Sequence, residues 1–454
     1  MSNTIKSINP YNQEVIARYT LNKKEEVFSK LEKADEVFKE WSQKDVSERA
    51  ELLYNIGNIL EERLEELSKL ITLEMGKPIS ESKAEIKKCI YLCDFYAKNA
   101  EDFLADEIIE TDAYESFISY DPLGVVLAVM PWNYPFWQVL RFAVPTLTAG
   151  NTALLKHASN VSGCALAIEE IFTEAGYPHG CFQTLLTNHD TIEEIIKDDK
   201  IKAVSLTGSE KAGKAIAKAA GENLKKTVLE LGGNNACIVL EDADLDKHID
   251  TIVKARMQNA GQSCIAAKRF IVTENIYDNF LEKFTKKVAA LKQGDPLNMD
   301  TEIATLTRED LATDLQNQVE DAIKKGAKVV LGNRQNKAFF APTILTNVTK
   351  DMAVFTEETF GPVAPIFKVK NLEEALQLAT DSRFGLGTML FTEDTEAAMH
   401  AISRIPDGAF FVNEMVKSDP RLPFGGTKAS GYGRELSREG IHEFVNIKTV
   451  FINK

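Results

Sequence analysis

AVSLTGSEKAGKAIAKAAGENLKKTVLELGG, residues 203–233, contains a complete strand–helix–strand unit. Ala203 to Leu206 is a short apolar run ending at a Thr-Gly turn. Glu210 to Ala220 follows as a helical segment, and Thr227 to Leu231 is a second apolar run. Short apolar runs alternating with helices predict parallel strands, because parallel neighbours need a crossover between them. The pattern continues on both sides. Upstream, Gly124 to Met130 and Thr152 to Lys156 read as buried strands and Ser162 to Thr173 as a helix. Downstream, between about Ala236 and Phe411, strands are predicted near 237–240, 269–273, 328–331 and 364–369. The chain is therefore α/β, with mostly parallel sheets and ligands expected at strand C-terminal ends.

Outside these regions, Val27, Leu31, Ala34, Phe38 and Trp41 recur at helical spacing. A second such stripe runs through Leu53, Ile56, Leu60, Leu64, Leu67 and Ile71, ended by Gly76-Lys77-Pro78. The tail Phe444 to Ile452 is strand-like with no following helix; an unpaired strand exposes its backbone groups, so it is expected to pair across a subunit interface. At 454 residues the chain exceeds one ordinary core, which predicts two or three domains. A net charge of −15 leaves no cationic surplus for nucleic-acid backbones. The start MSNTIKSINPYNQEV lacks a signal-peptide apolar core, and Val125 to Met130 falls far short of the roughly 20 residues of a membrane span. Six cysteines without a CxxC pair, and six scattered histidines, predict a reduced cytoplasmic protein with no metal site.

Four segments could carry chemistry. Cys264, in Gly261-Gln262-Ser263-Cys264, lies among small residues where a thiolate could reach a carbonyl, although a cysteine is more often a buried packing residue. Glu230 ends an apolar strand before Gly232-Gly233, a position where desolvation would suit it to general-base work; the plainer reading is a strand cap. Asn133, in Pro131-Trp132-Asn133-Tyr134-Pro135, sits in a turn stiffened by two prolines. Its amide could be aimed at an oxyanion, or it could simply fill the turn. Gly208 and Ser209 lie between a strand and a helix, where backbone N–H groups meet phosphate. From Gly208 to Ala215, GSEKAGKA is one residue short of a phosphate-binding loop, so a P-loop NTPase is the competing class.

Taken together, PWNYP, LLKHAS, SLTGS, LELGG, GQSC, EETFGP and PFGG resemble the aldehyde dehydrogenase superfamily in order and spacing over nearly the whole chain. The resemblance implies two Rossmann-like parallel-sheet domains plus a small β oligomerisation extension. Residues 1–103 and 123–229 would bind NAD(P), 230–433 would be catalytic, and 104–122 with 434–454 would join subunits into a homodimer or homotetramer. It also makes Cys264 the nucleophile, Glu230 the general base and Asn133 an oxyanion donor beside the Cys264 backbone N–H. Trp132, Lys156, Gly208, Ser209, Glu358 and Phe360 would surround the dinucleotide, with Lys156 at the adenosine ribose and Glu358 at the nicotinamide ribose. Where NAD-preferring members often carry Glu, this chain has Ser159, which points to NADP preferred over NAD because no carboxylate repels a 2′-phosphate.

LLKHASN, GQSCIAAKRF and KSDPRLPFGG are most like the short succinate-semialdehyde dehydrogenases. Arg141 and Ser418 would then hold the substrate carboxylate, with Arg421 a fainter candidate, and Tyr134, Trp137 and Phe424 would be tunnel walls. The alternative for Arg141 is a bridge to a surface acid such as Asp121. Two departures from that group stand out. Ala266 replaces a second cysteine, and Gln258 stands where some relatives carry a second arginine, which leaves chain length open to another small semialdehyde such as glutarate semialdehyde. Retention of Glu230 disfavours a CoA-acylating dehydrogenase.

Overall fold

Four of the apolar runs, joined by the short strand Phe182–Thr184 that the sequence pattern did not mark, line up as one parallel sheet in the computed structural model, which describes residues 4–454. Its spatial order is Lys226–Glu230, Ile201–Thr207, Val125–Met130, Thr152–His157, Phe182–Thr184, and Gly431–Tyr432 adds an antiparallel sixth strand beyond Lys226–Glu230. The order reverses between Val125–Met130 and Ile201–Thr207, so a crevice opens at their C-terminal ends. A second, seven-stranded sheet contains Ala236–Val239, Arg269–Thr273, Thr343–Thr346, Val363–Val369, Gly387–Phe391 and Ala409–Val412, all parallel, with Lys328–Leu331 antiparallel at one edge. Both sheets are covered by helices and bury apolar side chains on both faces, as continuous apolar runs require.

The structure differs from the sequence expectations at several points. The second helical stripe is two helices, Val46–Glu62 and Leu64–Met75, interrupted at Arg63; the latter ends at Gly76 in the left-handed conformation (φ 91°). The helix Ile79–Leu104 went unread, yet it buries Ile86, Cys89, Cys93, Tyr96 and Ala100 at helical spacing. The terminal strand Val445–Ile452 pairs within its own chain, antiparallel to Glu115–Pro122, in a three-stranded sheet with Glu107–Ile108. It remains an edge strand and leaves Ile447, Phe451 and Ile452 exposed. The helix Ser437–His442 packs on Ile79–Leu104 and Trp137–Thr148, so only the strand after it belongs to the small sheet. No helix among the described residues is long and apolar enough to cross a membrane.

Candidate active site

Asn133 and Gly208 follow strands of the first sheet at their C-terminal ends, and Glu230 is the last residue of its strand. Cys264 approaches the second sheet from the opposite side, in the loop leading into Arg269–Thr273. The candidate residues therefore gather at strand C-terminal ends in the first sheet only. The nucleophile candidate comes from an N-terminal edge.

The loop before Cys264 is strained and heavily tethered. Asn259, Ala260 and Gly261 are all left-handed (φ 55°, 49° and 72°), a conformation that costs an alanine about 1–2 kcal/mol. Asn259 donates its backbone N–H to Glu81 (2.8 Å) and its side-chain amide to the Asn133 carbonyl (2.9 Å). The fully buried Arg256 guanidinium donates to the carbonyls of Ala267 (2.9 Å) and Thr359 (3.1 Å) and also contacts Gly361. The nucleophile loop, the Asn133 turn and the Glu358–Phe360 segment are thereby fixed to one another.

Asn133 donates one amide hydrogen to the Gln262 carbonyl (3.0 Å) and accepts from Gln138 (3.0 Å), so the second amide hydrogen is left for a ligand. Glu85 supports this turn from below, accepting from the backbone N–H groups of Phe136 (2.8 Å) and Trp137 (2.9 Å) and from the buried Lys77 ammonium (2.6 Å). His157 braces it from the neighbouring strand. Its Nε2 meets the Pro135 carbonyl at 3.0 Å, its Nδ1 lies 3.1 Å from the Met130 carbonyl and 3.0 Å from the Ala158 nitrogen, and burial holds its pKa down at about 4.

Of the six cysteines only Cys264 is partly exposed. Burial pushes its thiol up to about 11, against the opposing charges of Lys268 and Arg141. Glu230 lies within electrostatic reach of Cys264 and adds to that rise. Its own carboxyl is held well above the usual range, chiefly by burial and then by Glu435. Neither Glu230 oxygen has a hydrogen-bond partner among the described residues. A carboxyl in that state can take a proton from a water placed beside it.

A cavity of about 180 Å³ reaches Cys264. It is smaller than the ~300–1,000 Å³ common for drug-sized ligands and so suits a short substrate. Its wall includes Tyr134, Trp137, Arg141, Ser418 and Phe424, which brings every substrate candidate except Arg421 to one place. Arg421 instead points outward to Asp419 (2.7 Å) with its side chain 65% exposed. Asp121 does not meet Arg141 either: it pairs with Lys448 (2.6 Å), while Arg141 is held by buried Glu435 (2.5 Å) and lies over the Phe424 ring. Sequence reading missed that partner. It also missed Lys88, whose ammonium donates to Ser418 Oγ at 2.7 Å inside the same cavity. The signal was the unread helix, whose residues Glu81, Ala84, Glu85 and Lys88 recur at helical spacing along the cavity wall.

On the first sheet's crevice side, Trp132 and Phe360 meet edge to face, ring centroids 5.7 Å apart. Glu358 accepts from the Gly233 N–H (3.1 Å) and contacts Lys268, which also donates to the carbonyls of Gly233 (2.7 Å) and Cys264 (3.0 Å). Lys156 is buried without a carboxylate within 4 Å among the described residues, its amine donating only to the His157 carbonyl (3.1 Å), and Ser159 lies exposed just beyond it. A nearly buried ammonium without a counter-charge fits a polyhydroxyl or phosphate ligand, so these residues suit a dinucleotide. The P-loop alternative fails on geometry. Only Gly208 and Ser209 separate the strand from the helix Glu210–Glu222, and Lys214 lies on that helix in a solvent-facing pair with Glu210 (2.7 Å).

Comparison with known proteins gives a consistent result. The profile described as the aldehyde dehydrogenase family matches residues 1–450. A probable succinate-semialdehyde dehydrogenase [NADP(+)] of Synechocystis sp. is 51% identical, with 99% of each chain covered. Succinate-semialdehyde dehydrogenase [NADP(+)] 1 of Mycobacterium bovis is 45% identical over 454 residues, again with 99% of each covered. The crystal structure of succinic semialdehyde dehydrogenase from Streptococcus pyogenes in complex with NADP+ superposes with a TM-score of 0.97 at 38% identity, covering 99% of this chain and 100% of that one. A fold, a thiol-bearing cavity and relatives that match end to end agree: the chain belongs to the aldehyde dehydrogenase family.

Proposed function

We propose that this dehydrogenase oxidises succinate semialdehyde to succinate, with NADP as preferred acceptor and NAD as a poorer one. The observation that carries this reading is the sharing of one small cavity by the Cys264 thiol, the Arg141 guanidinium and the Ser418 hydroxyl. A carboxylate at one end and an aldehyde at the other would satisfy both chemistries. The names of the Synechocystis and Mycobacterium relatives point the same way.

Cys264 loses its proton to solvent water, a step that the Lys268 and Arg141 charges favour, and its sulfur bonds to the aldehyde carbon to give a thiohemiacetal. The free amide hydrogen of Asn133 and the backbone N–H of Cys264, which makes no backbone hydrogen bond among the described residues, serve the oxyanion. An oxidised nicotinamide held by Trp132, Glu358 and Phe360 would supply the two-electron acceptor for oxidation of that carbon to the thioester level. Glu230 then takes a proton from water, the hydroxide adds to the thioester carbon, and the Cys264 thiolate departs as the acid forms. Lys156 would hold the adenosine ribose, and Ser159 beside it leaves room for a 2′-phosphate.

The same reading assigns subunit contacts, in a homodimer or homotetramer, to the small sheet with exposed Ile447, Phe451 and Ile452. A reducing cytoplasm suits a nucleophile that must remain a thiol. The test is a set of initial rates with succinate semialdehyde, glutarate semialdehyde and butanal, each with NADP and NAD, for the wild type and Cys264→Ser. The expected result is highest kcat/KM for succinate semialdehyde with NADP, and loss of all activity in the variant. Equal kcat/KM for butanal and succinate semialdehyde overturns the substrate assignment.

A further inference from the structure

Three cations line the cavity beside Cys264; Lys417 is paired with Glu414 at 3.0 Å, and the other two are in unequal states. Arg141 already has a counter-ion, buried Glu435 at 2.5 Å, so it offers its unpartnered Nε hydrogen but little net charge. Lys88 has no carboxylate within 4 Å among the described residues. Its Nζ lies 2.7 Å from Ser418 Oγ and 3.9 Å from the centroid of the Trp137 ring. Of its three N–H donors, the serine takes one. Glu85, the nearest acid on its own helix face, is committed to Lys77 and to two backbone N–H groups. Gln258 on the opposite wall is neutral.

We infer that Lys88, with Ser418, is the principal charge anchor for the substrate's distal carboxylate, Arg141 acting as a second donor whose charge Glu435 offsets. The inference rests on the anionic-aldehyde reading above and assigns specificity to a helix that carries none of the family motifs quoted from this sequence. An ammonium over an aromatic face, partly desolvated and lacking an anion, gains most from a ligand that brings one.

Burial lowers the Lys88 ammonium to about 7, with Arg141 adding to the fall and Cys89, Glu85 and Asp419 opposing it. Glu81, itself raised to about 7 by burial, and Lys417 face the same cavity. Binding of a carboxylate therefore draws a proton onto Lys88, and KM for an anionic aldehyde should climb as pH rises from 7 to 9.

The experiment compares the wild type, Lys88→Met and Lys88→Arg on succinate semialdehyde and on butanal with NADP. Methionine keeps the stem over Trp137 and removes the charge. The ratio of kcat/KM for the acid over the uncharged aldehyde should fall by on the order of ten- to hundredfold in Lys88→Met, mostly through KM. Lys88→Arg should hold the ratio within threefold and flatten the rise of KM with pH. An unchanged ratio in Lys88→Met overturns the inference, and so does an equal fall in both variants, which would assign the effect to packing. If the wild type itself shows no preference for the acid, the substrate reading falls first, so the two failures are distinguishable.

Discussion

Glu230→Gln separates the two halves of the proposed reaction and tests the environment of the carboxyl at the same time. Glutamine keeps the shape but cannot take a proton from water, so thioester hydrolysis should slow by about 10²–10⁴-fold, the usual range for a general base. Acylation does not use this group in the mechanism above. Rapid mixing should therefore show a burst of reduced cofactor equal to one per active site, followed by a very slow steady state. Stability should move the other way. A carboxyl raised above its ordinary 4.5 binds its proton more tightly in the folded chain. Its contribution to stability is full below about 4.5 and is lost as pH rises through the elevated native value. Above its elevated native value an ionised Glu230 has no partner on either oxygen and lies near Glu435, a state costing about 1–3 kcal/mol that glutamine relieves in part. The variant's melting temperature should gain on the wild type's as pH rises, by roughly 1–2 °C once the carboxyl ionises. A steady-state rate within threefold of wild type, or no burst at all, would refute the reasoning.

Three further outcomes follow from the same geometry. Alkylation by iodoacetamide should label one cysteine per chain, since only Cys264 is accessible, and its rate should rise about tenfold per pH unit from 7 to 10 because a thiol at about 11 is mostly protonated throughout that range; a flat profile contradicts the shift. Glu85→Gln should cost about 3–5 kcal/mol in denaturant unfolding by leaving Lys77 buried without its partner, and adding Lys77→Met should recover part of the loss; a double variant less stable than Glu85→Gln alone contradicts the pairing. Ser159→Glu should lower the NADP-to-NAD ratio of kcat/KM by about ten- to hundredfold, read from initial rates, since it replaces a hydroxyl near Lys156 with a charge that repels a 2′-phosphate; an unchanged ratio moves the selectivity elsewhere.

The sequence by itself determined four strands of each sheet and the residue types at the motifs, because these depend on neighbours along the chain; Phe182–Thr184, Thr343–Thr346, Gly387–Phe391 and Ala409–Val412 were not legible as strands. An apolar run between glycine turns reads as a strand whatever lies opposite, and Arg269–Thr273 was legible to the residue. Family spacing likewise marked Cys264, Glu230, Asn133, Arg141 and Ser418 before any coordinates. What only the tertiary structure decided is which charges neutralise which. Arg141 is taken by Glu435 rather than Asp121, and Lys88 meets Ser418 across 330 residues of sequence. Those pairings arise where the helix Ile79–Leu104 packs beside Trp137–Thr148 and the Ser418 loop closes over them. A charge in water has no preferred partner, whereas burial in a shared cavity makes the identity of the partner worth several kcal/mol. Periodicity along the chain carries no record of that choice.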